Sequence, residues 1–212
     1  DSANPNPSAN TAPYPIDAAG AGPWSSCCQQ TDQSAALYEP GAATASSTTI
    51  VEVDSQSDTN PWAMAGIMLR NSIAGAGSSP GYAIVAVTPA NGVVLEWDSN
   101  GDGYLDSEAK KVAITAPAWL RLTRSGTSVT AYYSTDGTTW TQAGRSAALP
   151  ADAKIALFAF SNDGTGNPVA AFDSFTLTGD QVGGGGGGWG GRRPAGPGLR
   201  VPVDGAQPRQ TQ

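Results

Sequence analysis

The chain has 212 residues, with 11 basic and 18 acidic side chains, a net charge of −7 and no histidine. This length allows one sizeable domain with appendages or two small ones. Without histidine, the chain alone cannot form a Ser-His-Asp triad, a Cys-His dyad or a His-ligated metal site, and its acidity argues against a nucleic-acid partner.

The two ends of the chain differ in composition from its middle. Residues 1–13 are rich in Asn, Pro, Ser and Ala, while residues 181–212 contain six glycines at 183–188 and then a Pro- and Arg-rich run. Neither composition buries enough apolar surface to offset the entropy of ordering the chain. We expect a tether over 1–13, one domain over 14–180, and over 181–212 a flexible tail or a linker to a covalent neighbour domain.

The expected compartment is extracellular. No stretch approaches the ~20 apolar residues of a membrane span, and the chain opens at Asp1 rather than Met, as expected of a processed or excised secreted piece. Cys27 and Cys28 are adjacent, and a disulfide between neighbours is strained. A strained vicinal disulfide, two free thiols and bridges to another chain all remain open for this pair.

The middle of the chain is a series of short strands separated by turns. Val51 and Val53 alternate with Ile50, Glu52 and Asp54, which places the two sets on opposite faces of one strand. Further strands are predicted at 64–71, 82–88, 93–97, 119–124, 128–134, 154–161 and 169–178, and turns at Asn91-Gly92, Ser125-Gly126, Asp136-Gly137 and Asp163-Gly164. This spacing predicts an all-β protein, a two-sheet antiparallel β-sandwich.

Five segments together resemble a known family. They are residues 60–70, 82–89, 119–126, 133–140 and 171–179. These segments are similar to the concanavalin A-like, or laminin G-like, jelly-roll modules attached to secreted bacterial glycoside hydrolases. The resemblance implies a curved sandwich that binds ligands on its concave sheet or its edge loops, and a lectin-like, secreted, bacterial module.

Aromatic side chains supply candidate sugar contacts, because the apolar faces of sugar rings stack on Trp and Tyr. Trp62 and Trp97 rank first, since one precedes a predicted strand and the other ends one. The adjacent Tyr132 and Tyr133 must point to opposite sides of their strand, so one of them should be exposed. The available aromatic residues are Trp24, Trp62, Trp97, Trp119, Trp140, Tyr82, Tyr132 and Tyr133. We predict ligand contacts at Trp62, Arg70, Glu96, Trp97, Tyr132 and Tyr133.

The segment 98–106, Asp-Ser-Asn-Gly-Asp-Gly-Tyr-Leu-Asp, resembles a calcium-binding loop. Calcium takes six to eight oxygen ligands, and such loops supply them at alternating positions around a glycine turn. We predict a structural Ca²⁺ site with Asp98, Asn100, Asp102, the carbonyl of Tyr104, and Asp106. The frame departs from the EF-hand, because the expected bidentate Glu is replaced by Ala109 and the flanks are strand-like. An acidic turn that binds no metal is the alternative.

Three classes of function remain open. The first is a non-catalytic carbohydrate-binding module of a secreted bacterial protein, with a polysaccharide or glycan as its partner. The second is a glycoside hydrolase or polysaccharide lyase that uses Glu52, Asp54 and Glu96; glycosidases of the jelly-roll class carry an E-x-D-x-(x)-E strand motif, whose third carboxylate is missing here. The third is an adhesion or spacer domain.

Overall fold

The structure is a computed structural model, and it describes residues 13–17, 35–71, 83–101, 104–109, 111–146, 153–162 and 169–182. Over these ranges all regular secondary structure is β. No helix among them is long and apolar enough to cross a membrane. The strands are β1 (Tyr14–Asp17), β2 (Ala35–Gln56), β3 (Met64–Arg70), β4 (Ala83–Thr88), β5 (Gly92–Trp97), β6 (Ser107–Glu108), β7 (Ala118–Ser125), β8 (Ser128–Ser134), β9 (Thr141–Ser146), β10 (Lys154–Phe160) and β11 (Val169–Val182).

The strands form two antiparallel layers joined by β2. The first layer has the order β6-β5-β4-β3-β10 and ends on the first half of β2, where Ala36 opposes Phe158. The second layer has the order β1-β11-β2-β7-β8-β9 and uses the second half of β2, where Val51 opposes Leu120. The predicted two-sheet antiparallel sandwich is therefore confirmed.

Apolar side chains from both layers form one shared core. Val51 and Val53 are fully buried, whereas Ile50 and Glu52 on alternate positions are half-buried and face outward. This is the division of faces predicted for the strand. The shared core includes Val51, Ile67, Val85, Leu95, Leu120, Leu157 and Phe172.

A glycine brings the two layers together at one edge. Gly144 on β9 opposes Ala131, whose side chain belongs to the shared core. A Cβ at position 144 would lie 2.5 Å from the Cβ of Ala109 and 3.1 Å from Cδ2 of Leu95, on the other layer. A larger residue would force β9 away from β5, so the close approach at this edge depends on the glycine.

The outer face of the first layer carries a second apolar cluster, called here the covered face. It includes Met64, Met68, Ile84, Ala86, Val94, Leu105, Ala156, Phe158 and Phe160, each no more than 1% exposed. Because the inner and outer faces of the first layer are both buried, every residue of β3 and of β4 is buried.

Several boundaries differ from the predictions. The single strand predicted around 49–53 is the end of a 22-residue strand, and β1, β6 and β9 were not predicted. β11 continues to Val182, two residues past the expected domain boundary. Residues 1–12 of the predicted tether, residues 183–212 of the predicted tail, the cysteine pair and the turn at 163–164 lie outside the described residues.

Candidate functional site

The residues predicted to bind a ligand lie in three separate places. Arg70 follows Met68 on the covered face of the first layer, and Glu96 follows Val94 on the same face. Trp97 and Tyr133 pack against the shared core. Tyr132 lies on the outer face of the second layer, opposite Arg121.

Arg70 and Glu96 are buried within the first layer. Their exposed fractions are 4% and 0%. The described surface offers neither side chain to a ligand, so their role in glycan contact stays a prediction.

Trp62 is held in place by the turn that precedes β3. Its backbone N–H donates to Oδ1 of Asn60 at 2.8 Å, and the Asn162 amide donates to the same oxygen at 3.3 Å. The indole is half-buried and packs against the covered-face cluster. The Lys111 ammonium lies 4.2 Å from its ring centroid, and Lys111 also forms an ion pair with Glu108 at 3.4 Å. One face of Trp62 is therefore occupied by a cation from the chain itself.

The acidic hairpin between β5 and β6 is closed by its own carboxylates. Oδ1 of Asp98 accepts the Gly101 N–H at 2.7 Å. The two oxygens of Asp106 accept the N–H and the hydroxyl of Ser99, at 2.8 and 3.1 Å. Burial raises the pKa of Asp106, but hydrogen bonds from Ser99 and Ser107 outweigh it and hold that pKa below its ordinary value.

The described part of the hairpin contains four of the five predicted calcium ligands. Asp98 and Asp106 lie at facing positions, one step beyond the Trp97–Ser107 pair, while Asn100 is exposed and Tyr104 half-buried. Among the described residues no group of three His, Cys, Asp or Glu side chains could hold a metal ion. Asp102, a predicted ligand, lies outside those residues, so the calcium prediction is untested.

The outer face of the second layer carries an aromatic group around one arginine. Leu120 and Leu122 of β7 point into the core, so Trp119 and Arg121 point outward. The guanidinium carbon of Arg121 lies 4.0 Å from the Tyr132 ring centroid and 4.5 Å from that of Trp140. We call Trp119, Arg121, Tyr132 and Trp140 the aromatic face; all four are half-buried.

The β8–β9 loop fixes the position of Trp140. Oδ1 of Asp136 accepts the N–H groups of Thr139 and Thr138 at 2.7 and 2.8 Å and the Ser134 hydroxyl at 2.8 Å. Those hydrogen bonds hold the pKa of Asp136 far below its ordinary value, and the bond from the Thr139 N–H has the largest effect. Gly137 has φ +71°, and a Cβ there would lie 2.9 Å from the Trp119 ring. The ordered loop therefore rests against Trp119 and leads directly to Trp140.

Tyr132 is among the predicted ligand contacts, whereas Trp119, Arg121 and Trp140 are not. A usable signal was present, because Trp119, Arg121 and Thr123 alternate in the sequence with the apolar Leu120 and Leu122. In such a strand the aromatic and charged residues on alternate positions share one solvent-facing side.

A group of carboxylates lies beside the aromatic face. Glu52 on β2 directly opposes Asp173 on β11 and lies two residues from Asp54. Burial, then the negative charges of Asp173 and Asp54, raise the pKa of Glu52 above its ordinary value. Glu96 is on the covered face of the other layer, so the shared core separates it from Glu52 and Asp54. These three residues therefore do not form one catalytic set.

Comparison with known proteins identifies the fold. No protein-family model matches the sequence, and no curated protein matches it. A functionally unknown protein from Saccharomyces cerevisiae is 20% identical with a TM-score of 0.50, covering 64% of this chain and 70% of that one. The GH43 protein BlXynB from Bacillus licheniformis is 20% identical with a TM-score of 0.51, covering 63% of this chain.

The chain spans 27% of BlXynB, so it is similar to one part of that protein. A legume lectin-like domain from Entamoeba histolytica is 11% identical with a TM-score of 0.50, covering 69% of this chain and 78% of that domain. At these identities the similarity shows a shared lectin-like sandwich fold.

Proposed function

We propose that the chain is a non-catalytic glycan-binding module that holds sugar rings on the aromatic face. The observation that carries this proposal is the placement of Trp119, Tyr132 and Trp140 together on the outside of a sheet, half-buried rather than in the core. Indole and phenol rings offer an apolar surface with a polar edge, which suits the mixed surface of a sugar. The lectin-like fold also supports it.

The rigidity of the β8–β9 loop is consistent with such a role. Asp136 fastens the loop through three hydrogen bonds, and the loop packs on Trp119. A platform that is ordered before the ligand arrives loses less conformational entropy on binding.

The test is binding to a panel of soluble polysaccharides by affinity electrophoresis and calorimetry, with Trp140→Ala as the variant. Loss of one stacking ring, worth about 1.5 kcal/mol, should weaken binding about tenfold. Phe175→Ala is the matched control, because Phe175 is an exposed aromatic on β11 of the same layer, 40% exposed. Equal losses in the two variants, or no retardation of the unaltered protein by any glycan, would contradict the proposal.

A hydrolase is the second candidate, and the raised pKa of Glu52 beside Asp173 is the observation that favours it. A glycosidase needs one protonated and one ionised carboxyl group. Release of reducing sugar by the unaltered protein, abolished in Glu52→Gln, would replace the binding proposal with this one.

We also propose that the acidic hairpin binds Ca²⁺ through Asp98, Asn100, Asp102, the Tyr104 carbonyl and Asp106. Facing positions for Asp98 and Asp106 support this. The ion would join carboxylates that otherwise repel each other. EDTA should lower the melting temperature and Ca²⁺ should restore it, with Asp102→Asn insensitive to both; an unchanged melt would remove the proposal.

The setting we propose is a secreted bacterial protein in which this module has a covalent neighbour. The six glycines at 183–188, directly after β11, are typical of a flexible linker. Limited proteolysis of the longer native protein should cut within this glycine run and release an intact, glycan-binding sandwich.

A further inference from the structure

The guanidinium of Arg121 contacts two aromatic rings at the surface of the second layer. Its carbon lies 4.0 Å from the Tyr132 centroid and 4.5 Å from the Trp140 centroid. Contact with two rings restricts the side chain, which reduces the conformational freedom that an arginine otherwise loses on binding.

The hydrogen-bonding capacity of this guanidinium is unused within the described part of the chain. Nε of Arg121 is buried and makes no hydrogen bond there. Its two terminal nitrogens are not among the buried side-chain atoms that lack a hydrogen-bond partner, and no hydrogen bond to a described residue engages them, so they are open to solvent. No carboxylate of the described residues forms an ion pair with Arg121, although the protein as a whole is acidic.

The neighbouring acidic groups are engaged elsewhere. Asp136 is committed to Ser134 and to the N–H groups of its own loop. Glu52 faces Asp173 across the β2–β11 ladder, and the charges that act on it are negative ones. An oriented cation thus lies beside stacking rings without an internal counter-ion.

We propose that the aromatic face selects an acidic glycan, one whose sugar rings carry a carboxylate, and that Arg121 binds this carboxylate. The inference rests on the glycan-binding function proposed above and names its substrate class. A guanidinium presents a planar pair of N–H donors that matches both oxygens of a carboxylate. In a hexuronate the carboxylate projects from the rim of the ring, so the ring stacks on Trp140 while its acid group meets the terminal nitrogens of Arg121.

The experiment compares hexasaccharides of galacturonate, glucuronate and mannuronate with their fully methyl-esterified forms by calorimetry. The ester keeps the ring and removes the charge. A charge-assisted hydrogen bond predicts about tenfold or greater preference of the unaltered protein for at least one acid over its ester. Arg121→Gln should abolish that preference and keep the weaker binding of the ester.

Arg145→Gln is the matched control. Arg145 is exposed on β9 and opposes Thr130, on the same outer face. The substitution therefore removes the same charge as Arg121→Gln, but at a position away from the rings. Equal effects of the two arginine variants would show general charge attraction and overturn the proposal, as would a preference for a sulfated neutral hexasaccharide. Melting temperatures of the variants check that the face remains folded.

The outcomes separate this inference from the function on which it rests. If acid and ester bind the unaltered protein equally and Trp140→Ala weakens both, the glycan-binding function stands and carboxylate selection is wrong. If no acidic or neutral glycan binds at all, both proposals fall.

Discussion

The outer faces of the two layers differ although both layers share one core. On the covered face, Met68, Ile84 and Phe158 are no more than 1% exposed. On the outer face of the second layer, Arg121 and Tyr132 are half-buried and the β9 residues beside them are more open. A sheet buried on both sides contributes stability, whereas a sheet with one open side can also present a binding surface.

The residue pattern of each strand accounts for this difference between the two outer faces. β3, β4 and β10 are near-continuous apolar runs, and Arg70 and Glu96 were selected from strands of that layer. β7 alternates, and two of its outward residues, Trp119 and Arg121, belong to the aromatic face. Arg70 and Glu96, in the first layer, are buried, whereas Arg121 on the alternating strand β7 is half-buried on the open face.

The largest expected effect comes from placing a charge on each face. Ala156→Asp introduces a carboxylate on the covered face, where Ala156 is 1% exposed, and should cost about 4 kcal/mol or more of unfolding free energy. Thr130→Asp on the open face should cost less than about 1 kcal/mol. Denaturant unfolding followed by tryptophan fluorescence measures both. Similar losses would mean that the two faces are not buried differently.

A second pair of variants removes apolar volume from each face. Leu105 of the acidic hairpin is fully buried in the covered-face cluster, so Leu105→Ala should cost about 3 kcal/mol. Ile50 is half-buried on β2, opposite Arg121. Ile50→Ala should therefore lower the free energy of unfolding by only about 1 kcal/mol. The same unfolding assay compares them, and a larger loss for Ile50→Ala would contradict the assignment of the two faces.

The smallest effect concerns Glu52 and depends on pH. Its pKa is raised above 4.5 in the folded state, so its contribution to stability is present below that value and is lost as the pH rises through the folded-state pKa. Glu52→Gln should therefore raise the free energy of unfolding at pH 7 by up to about 1 kcal/mol, which corresponds to a rise of a few degrees in the melting temperature. At pH 4 the substitution should change the melting temperature little.

Asp58→Asn is the control for Glu52→Gln, because Asp58 is exposed and follows β2. It removes the same charge without a facing carboxylate and should leave the melt unchanged at both pH values. An equal rise in both variants would point to net charge rather than to the Glu52–Asp173 pair.

The fold could be predicted because it depends on local pattern. Alternation around Val51 and the Asn-Gly and Asp-Gly turns are properties of short windows. The site depended on pairing between distant residues. That Tyr132 and Tyr133 face opposite ways was predictable, but only the pairing of Leu120 with Tyr133 shows which of them points inward. Likewise, Glu52 and Glu96 fall on different layers because of strand order, which no short window encodes.

The length of β2 has a mechanical consequence. One continuous strand, Ala35–Gln56, hydrogen-bonds to β10 in the first layer and to β7 in the second. Neither sheet can detach without breaking backbone hydrogen bonds of β2, the strand that also belongs to the other sheet. The two halves of this strand should consequently lose protection against amide hydrogen exchange together, in one cooperative opening, rather than layer by layer.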